Sequence, residues 1–444
     1  MAKRINRRDF LGVAAGGVAA AAAFRARAQR AAARPNVLFI LADDLGYGDL
    51  SCYGRPDYDT PVLDALAADG VKLTSAYAAA PVCTPTRCAF ITGRYPQRYD
   101  VGLEEPLTSR SPIVGLPAGQ PTIATRLRAA GYATALIGKW HLGWRPEFQP
   151  RQHGFDEFFG SLSGALDYFT HLAPDAGEPP LPDLWANEER ASAEGYLTDV
   201  FTERAVEYVL RPHGKPFYLS LHYTAPHSPW EGPNDRTTAD HGDHGTGPMT
   251  NGGSLGAYAE MVRSMDEGIG RVLTALRRAR RERDTLVIFT SDNGGERYSF
   301  NWPFSFEKFY LWEGGIRVPA IVRWPGVVPA GSVTDQAVIT MDWTATILAA
   351  AGASTSALDG ETLLPVLRGE RAPNDRSLFW RTRTRAAARI GRWKYVQEGS
   401  DDHLYDLAVD LGEKTDLKER EPAAFADIKE RYAAWAAQML PRPT

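Results

Sequence analysis

Short apolar runs alternate with amphipathic stretches along most of this chain. "PNVLFILADD" (35–44) is almost continuously apolar and ends in two carboxylates, the pattern of a strand buried on both faces of a parallel sheet. Runs of the same kind occur at "YATALIGKW" (132–140), "PFYLSLHY" (216–223), "TLVIFTSDN" (285–293) and "PAIVRWP" (319–325). Helical patterns lie between them. In the clearest, Tyr258, Met261, Val262, Met265, Ile269, Val272, Leu273 and Leu276 recur with a period near 3.6, and the basic run "RRARRERD" (277–284) reads as the solvated end of that helix. Strands alternating with amphipathic helices predict an α/β domain on a large, mainly parallel sheet flanked by helices. The segment 228–254, rich in Gly, Pro, His and Asp, reads as a loop, and no internal repeat is visible.

From about 371 the texture changes. "SLFWRTRTRAAARIGRWKYV" alternates and turns like a small antiparallel sheet, and "PAAFADIKERYAAWAAQML" (422–440) reads as a closing helix. This divides the chain into a catalytic unit at 29–370 and a smaller C-terminal α+β unit at 371–444, since one α/β unit can exceed 200 residues.

The first 28 residues stand apart. Lys3, Arg4, Arg7 and Arg8 precede an apolar run from Leu11 to Phe24, followed by "ARA" at 26–28. Fourteen apolar residues are too few to span a bilayer, so this is an export signal and not a stable membrane insertion. R-R-x-F-L with an Ala/Gly-rich core is similar to a twin-arginine signal, which delivers folded proteins to the twin-arginine export machinery and so to a periplasmic or secreted location; an ordinary secretory signal is the alternative. Cleavage after Ala28 removes six basic residues and one acidic, and subtracting that net +5 from the formal charge of −4 leaves −9. An acidic exported chain is unsuited to general binding of nucleic acid or anionic membranes, and any anionic substrate must be held by a local cluster of cations.

The three cysteines, Cys52, Cys83 and Cys88, are too few for a disulfide scaffold, and a chain of this size buries its own core. If Cys83 is consumed chemically, Cys52 and Cys88 are left as a possible pair.

The candidate chemistry sits at strand ends, where open α/β sheets bind ligands. Asp43-Asp44 follows the first strand and Asp292-Asn293 the fourth. Each pair alone is adequately explained as a turn or helix cap. Two pairs in equivalent positions bring four oxygen donors to one hard divalent cation. A cationic set accompanies them. Lys139 and His141 in "IGKWHLG" are two apart, so an extended backbone would point both to one face and Trp140 into packing. His227 lies on the proline-stiffened "HYTAPHSPW", and Lys308 in "FEKFYLWEGGIRVP". His222, inside its strand, reads as a satisfied core histidine, and His241 and His244 in "DHGDH" as loop residues. With Arg87 these cations acquire meaning only as a set.

"NVLFILADDLGYGDLSCYG", "CTPTRCAFITGRYP", "GYATALIGKWHLG", "APHSPW", "TSDNGG" and "KFYLWEGGIRVP" resemble, in order, the motif series of the formylglycine-dependent (type I) sulfatases of the alkaline phosphatase superfamily. "HLYDLAVDLGEKTDL" resembles the smaller terminal domain of that family. The resemblance spans nearly the whole chain after the signal. It implies that Cys83 is oxidised to formylglycine by the formylglycine-generating enzyme, with Pro85 and Arg87 completing the recognition sequence; Thr86 stands where serine is more usual. It implies that Asp43, Asp44, Asp292, Asn293 and modified Cys83 hold the metal, that Arg87 stabilises the hydrated aldehyde, and that Lys139 and Lys308 clamp the sulfate. His141 would take a proton from the second hydroxyl, and His227, helped by Lys308, would protonate the leaving alcohol. A gem-diol can attack sulfur with one hydroxyl and expel sulfate by collapse of the other, which serine or cysteine does not do easily. Carboxylate, amide and sulfate oxygens suit the loose shell of calcium better than the strict octahedron of magnesium, and no Cys-His set calls for zinc.

The expected activity is therefore hydrolysis of aryl or carbohydrate sulfate monoesters. Hydrolysis of phosphonate monoesters or phosphodiesters with the same apparatus, or a non-catalytic exported anion-binding protein with an unmodified Cys83, are the alternatives.

Overall fold

The computed structural model of the chain describes residues 34–108, 113–173, 181–235 and 252–443. The export signal, His241 and His244, and most of the 228–254 segment lie outside the described residues.

β1 (Asn36–Ala42) is the central strand. Its side chains alternate between two clusters, with Val37, Phe39 and Leu41 on one face and Leu38, Ile40 and Ala42 on the other. A strand covered by helices on both faces needs apolar residues at every position, which is why the run is continuous. In chain order the main elements are α1 (Pro61–Ala68), β2 (Val71–Tyr77), α2 (Cys83–Thr92), α3 (Ile123–Ala129), β3 (Ala133–Gly138), β4 (Glu157–Gly160), α4 (Leu197–Leu210), β5 (Phe217–His222), α5 (Leu255–Arg278), β6 (Thr285–Ser291), α6 (Glu313–Ile316), β7 (Arg317–Arg323) and α7 (Thr340–Ala350). Among the described residues the large sheet has eleven strands, and its core runs β2-β7-β6-β1-β5-β3-β4. Helices α1, α4 and α5 cover one face, and α2, α3 and α7 the other. All eight periodic positions of α5 are buried, and Ser254 caps it by accepting the Ala257 N–H at 3.0 Å.

The sheet is mixed in detail. β1 pairs in parallel with β6 and β5, and β5 with β3. The run at 319–325 forms β7, which is antiparallel to β6, and β7 is in turn antiparallel to β2. β2, "VKLTSAY", has polar Lys72, Thr74 and Ser75 between its apolar positions, so it lacks the continuous apolar run that marks the other strands. No helix among the described residues is long and apolar enough to cross a membrane.

All three cysteines are free. Cys52 packs against the cluster on the α5 face and Cys88 lies in the cluster on the α2 face. The sheet stands between them, so the pair considered from the sequence does not form.

The C-terminal strands β8 (Ser377–Arg381), β9 (Arg385–Ile390), β10 (Trp393–Glu398) and β11 (Asp401–Asp406) make an antiparallel sheet in sequential order, covered by α8 (Pro422–Ala436). A buried charged cluster joins this sheet to the large one. Lys394 Nζ lies 2.7 Å from Glu313 Oε1 and 3.2 Å from Glu413 Oε1. The Tyr77 hydroxyl and Arg317 donate to Glu313 Oε2 at 2.5 and 3.0 Å, and Glu413 Oε2 accepts the Glu313 N–H at 2.7 Å. Burial works to raise the Glu313 carboxyl, but Lys394 and Arg317 outweigh it and hold it down at about 2. Burial, reinforced by Glu313, pushes Glu413 up to about 7 against the pull of Lys394.

Candidate functional site

The parallel register brings the site together. Ala42 pairs with Ser291, Leu41 with His222 and Gly138 with His222. The next residues, Asp43, Asp292 and Lys139, therefore leave the same edge of the sheet side by side. The Asp43 N–H donates to Ala225 O at 3.2 Å and the Asp292 N–H to Ala42 O at 3.1 Å, which fixes both turns.

Three carboxylates meet three cations here, all of them buried. Lys139 Nζ lies 2.6 Å from Asp43 Oδ2, and Lys308 Nζ lies 2.6 Å from Asp44 Oδ2. Arg87 holds Asp292 Oδ2 through Nε at 3.0 Å and Nη2 at 2.8 Å, and Nη2 is 3.5 Å from Asp43 Oδ1. Asn293 Nδ2 donates to Asp44 Oδ1 at 2.7 Å. Burial works to raise Asp44, but Lys308, His227 and Lys139 together hold it well below the carboxylate range. Asp292 is pushed up to about 7, by burial first and then by the charge of Asp43, against Arg87. Burial works to lower Lys308, and Asp44 outweighs it, so the ammonium stays protonated well above its ordinary range.

This arrangement fits a hard cation. Asp43, Asp44 and Asp292 each offer a carboxylate oxygen within 4.8 Å of the others. Among the described residues, the buried Asn293 Oδ1 has no hydrogen-bond partner and Asp43 Oδ1 has only the long ion-pair contact with Arg87, which is costly unless something else satisfies them. Oxygen-only donors of this kind match calcium or magnesium.

Cys83 is the first residue of α2 and is 1% exposed. Its sulfur, an Asp43 oxygen and a His227 ring nitrogen all lie within 4.8 Å of one another. The helix start favours negative charge at this position. Arg87, one turn later, shares its face. The Thr86 hydroxyl donates to Ala80 O at 3.0 Å and accepts the Ala80 N–H at 3.1 Å, closing the loop that leads into the helix.

The two histidines are held differently. His227 Nδ1 is 2.6 Å from Ser228 O, which places a proton on Nδ1 and turns Nε2 towards Asp44 Oδ2 at 3.5 Å. His141 Nε2 is 2.8 Å from Leu107 O, and the Leu107 N–H donates to Thr84 Oγ1 at 3.0 Å. His141 thus reaches the residue beside Cys83 through one intermediary. The extended-strand expectation for Lys139 and His141 does not hold, because β3 ends at Gly138 and His141 has φ +58°. Trp140 does turn into packing, against His153 and Phe155. A Cβ at Gly164 would lie 2.6 Å from the His141 ring, so this position admits only glycine without displacement.

His222 is a core residue as expected, with Nε2 2.8 Å from Ser220 Oγ and Nδ1 3.1 Å from Lys139 O. Burial and then Arg87 keep it neutral. Glu296, 3.4 Å from Lys308 Nζ, escaped the sequence reading although it directly follows "DNGG". Phe309 did too; its ring lies 5.3 Å from the same ammonium.

Residues 35–353 match the family model described as Sulfatase. The chain belongs to the sulfatase family. Residues 301–431 of this sulfatase also match the model described as N-sulphoglucosamine sulphohydrolase, C-terminal. N-acetylgalactosamine-6-sulfatase of Sus scrofa is 36% identical over 389 residues, covering 81% of this chain and 71% of that protein. Arylsulfatase J of Mus musculus is 34% identical over 470 residues, covering 92% and 77%. The crystal structure of Ps i-CgsB in complex with k-i-k-neocarrahexaose superposes with a TM-score of 0.80 at 31% identity, covering 91% of this chain and 93% of that one. This sulfatase is a sulfuric ester hydrolase with the alkaline-phosphatase-like fold, and such enzymes generally use a formylglycine and a divalent metal.

Proposed function

We propose that this chain hydrolyses the sulfate monoester of a carbohydrate, with Cys83 in the formylglycine form and calcium held by Asp43, Asp44, Asp292, Asn293 and residue 83. The observation that carries the reading is the convergence of Cys83, Asp43 and His227 within 4.8 Å, in the pocket that also holds Lys139 and Lys308. The names of the two carbohydrate-related neighbours, N-acetylgalactosamine-6-sulfatase and the neocarrahexaose complex, support a sugar as the alcohol.

Formylglycine supplies a hydrated aldehyde, one hydroxyl to attack sulfur and a second to release sulfate, and a divalent cation supplies Lewis-acid polarisation. Lys139 and Lys308 hold sulfate oxygens whose charge grows in the transition state; both ammoniums are already fixed, so little reorganisation accompanies reaction. Arg87 compensates the carboxylates and stabilises the hydrated side chain. His227, anchored through Nδ1, presents Nε2–H to the departing oxygen as general acid. His141, anchored through Nε2, keeps Nδ1 as the basic nitrogen for the proton of the second hydroxyl. Modification precedes export of the folded chain by the twin-arginine route, and the enzyme acts in the periplasm or outside the cell.

The test compares sulfate and phosphonate monoesters of one alcohol, using protein made with a formylglycine-generating enzyme. Preference for the sulfate ester, abolished by Cys83→Ala with the fold retained, is the expected result. Preference for the phosphonate ester, or undiminished turnover by Cys83→Ala, contradicts it.

A further inference from the structure

Two carboxylates reach the Lys308 ammonium. Asp44 Oδ2 lies 2.6 Å from Nζ and Glu296 Oε2 lies 3.4 Å from it. Asp44 belongs to the oxygen set proposed for the cation, and Glu296 is not one of the three carboxylates that converge there. The Glu296 side chain is 18% exposed against 5% for Lys308, so it is the more open of the two. Glu296 is thus a carboxylate at the site to which neither cation binding nor acid–base chemistry gives a task.

The backbone fixes the pair. Gly295 O accepts both the Lys308 N–H and Asn301 Nδ2 at 3.0 Å, and the Gly295 N–H donates to Asn301 Oδ1 at 3.0 Å. One carbonyl, directly before Glu296, therefore sets Lys308 and Glu296 relative to each other. The Ser299 N–H donates to Glu296 O at 3.0 Å, and the Ser299 hydroxyl to Asp49 Oδ2 at 2.6 Å. Buried Asp49 also accepts the Gly46 N–H at 2.7 Å and the Phe300 N–H at 2.8 Å. Gly46 is two residues beyond Asp44, so Asp49 ties the turn that carries Asp44 to the loop that carries Glu296. A Cβ at Gly295 would lie 1.6 Å from Ser299 Oγ and 2.9 Å from Gly46 N, so this close approach requires glycine. Beyond Lys308, the Phe309 N–H donates to Pro81 O at 2.9 Å and Phe309 O accepts from Arg385 Nη1 at 3.3 Å.

We propose that Glu296 is the positioning residue for Lys308, accepting from its ammonium once Asp44 is engaged by the cation and so aiming it at the sulfate. The inference rests on the sulfate-ester reading of the central site and adds the residue that sets one of its clamps. Asp44 cannot serve an ammonium and a divalent cation equally. A cation held by Asp44 offsets the charge of that carboxylate and repels the ammonium beside it. Glu296 then supplies the negative charge that keeps Lys308 in place. An ammonium has three donors, and fixed acceptors for some of them define where the remainder point. Burial raises the Glu296 carboxyl against the pull of Lys308, and Asp44 adds to the rise; a cation on Asp44 weakens that last contribution and favours the charged form.

A double-mutant cycle tests this on the full chain, made with a formylglycine-generating enzyme and assayed with 4-nitrophenyl sulfate in the presence of calcium. Glu296→Ala should lower kcat/KM by about 10- to 100-fold in the native background, the scale of a displaced catalytic group. In a Lys308→Met background it should cost less than about threefold, because the residue it positions is gone. Glu296→Gln should recover part of the loss, since its amide oxygen still accepts from the ammonium. Thermal unfolding supplies a readout independent of turnover: calcium should raise the Tm of Glu296→Ala by less than it raises that of the native protein. Native activity in Glu296→Ala, an equal loss in both backgrounds, or an equal calcium increment overturns the proposal. Undiminished turnover by Lys308→Met alone contradicts the central site's reading and removes the proposal with it, and this outcome is visible in the single variant with Glu296 intact.

Discussion

Lys139 Nζ stands 2.6 Å from Asp43 Oδ2, and neither side chain is accessible to solvent. Lys139 therefore compensates a buried carboxylate, and the proposed function makes it a sulfate ligand when substrate arrives. Lys139→Met should lower kcat/KM for a sulfate ester by about 100- to 1,000-fold, the cost of losing one preorganised partner of developing charge. It should also destabilise the fold by about 3–5 kcal/mol, because Asp43 is left buried without its ammonium. Thermal unfolding with and without calcium checks the second point. Calcium should stabilise the variant more than the native protein.

Metal removal tests the oxygen cluster. A cation that binds only the folded state stabilises it by about 2.7 kcal/mol at a hundredfold excess over Kd. Chelation should lower Tm and abolish turnover, and calcium should restore both. Asn293→Ala, which deletes an oxygen with no partner among the described residues and the Nδ2 donor to Asp44, should need a higher calcium concentration for the same Tm. A Tm indifferent to chelator and calcium contradicts the ligand assignment.

His227 and Lys308 can be separated by the leaving group. A general acid matters most when the departing alkoxide is a poor leaving group. His227→Ala should cost about 100- to 10,000-fold with a sugar sulfate and far less with 4-nitrophenyl sulfate, whose anion leaves unaided. Lys308→Met should depress both alike if, as proposed, Lys308 clamps sulfate. Equal losses for the two esters in His227→Ala would move the acid elsewhere.

The buried seam carries its own pH signature. Burial raises Glu413 from the ordinary carboxyl value of 4.5 to about 7, so between those values the folded protein holds a proton that the unfolded chain has lost. Stability should fall as pH rises through this window, by on the order of 3 kcal/mol for the full shift. Glu313, held at about 2, acts oppositely, contributing stability above about pH 4.5 that is lost on acidification towards pH 2. Glu413→Gln should flatten the fall between about pH 5 and 8 while leaving the acid limb in place. Denaturant melts across pH measure both limbs.

The parts of the fold legible in the sequence were those with a one-dimensional signature. The continuous run of β1 and the 3.6 period of α5 each have one sufficient cause, burial on two faces or on one. β2 has a weaker trace because Lys72, Thr74 and Ser75 interrupt it. The antiparallel direction of β7 is set by how the chain returns after α6, which no local pattern records. At the site, the placing of Asp43-Asp44 and Asp292-Asn293 at strand ends was readable because each pair directly follows a continuous apolar run. The left-handed turn at His141, the seating of Glu296 beside Lys308 and the reach of Arg385 to Phe309 depend on segments distant in sequence, and only the folded chain brings them together.

The most direct test is the mass of the peptide containing Cys83, taken from active protein made in a host that modifies it. The account predicts sulfur replaced by oxygen with two hydrogens lost, in proportion to specific activity across preparations. Full activity with an intact thiol at residue 83 would contradict it.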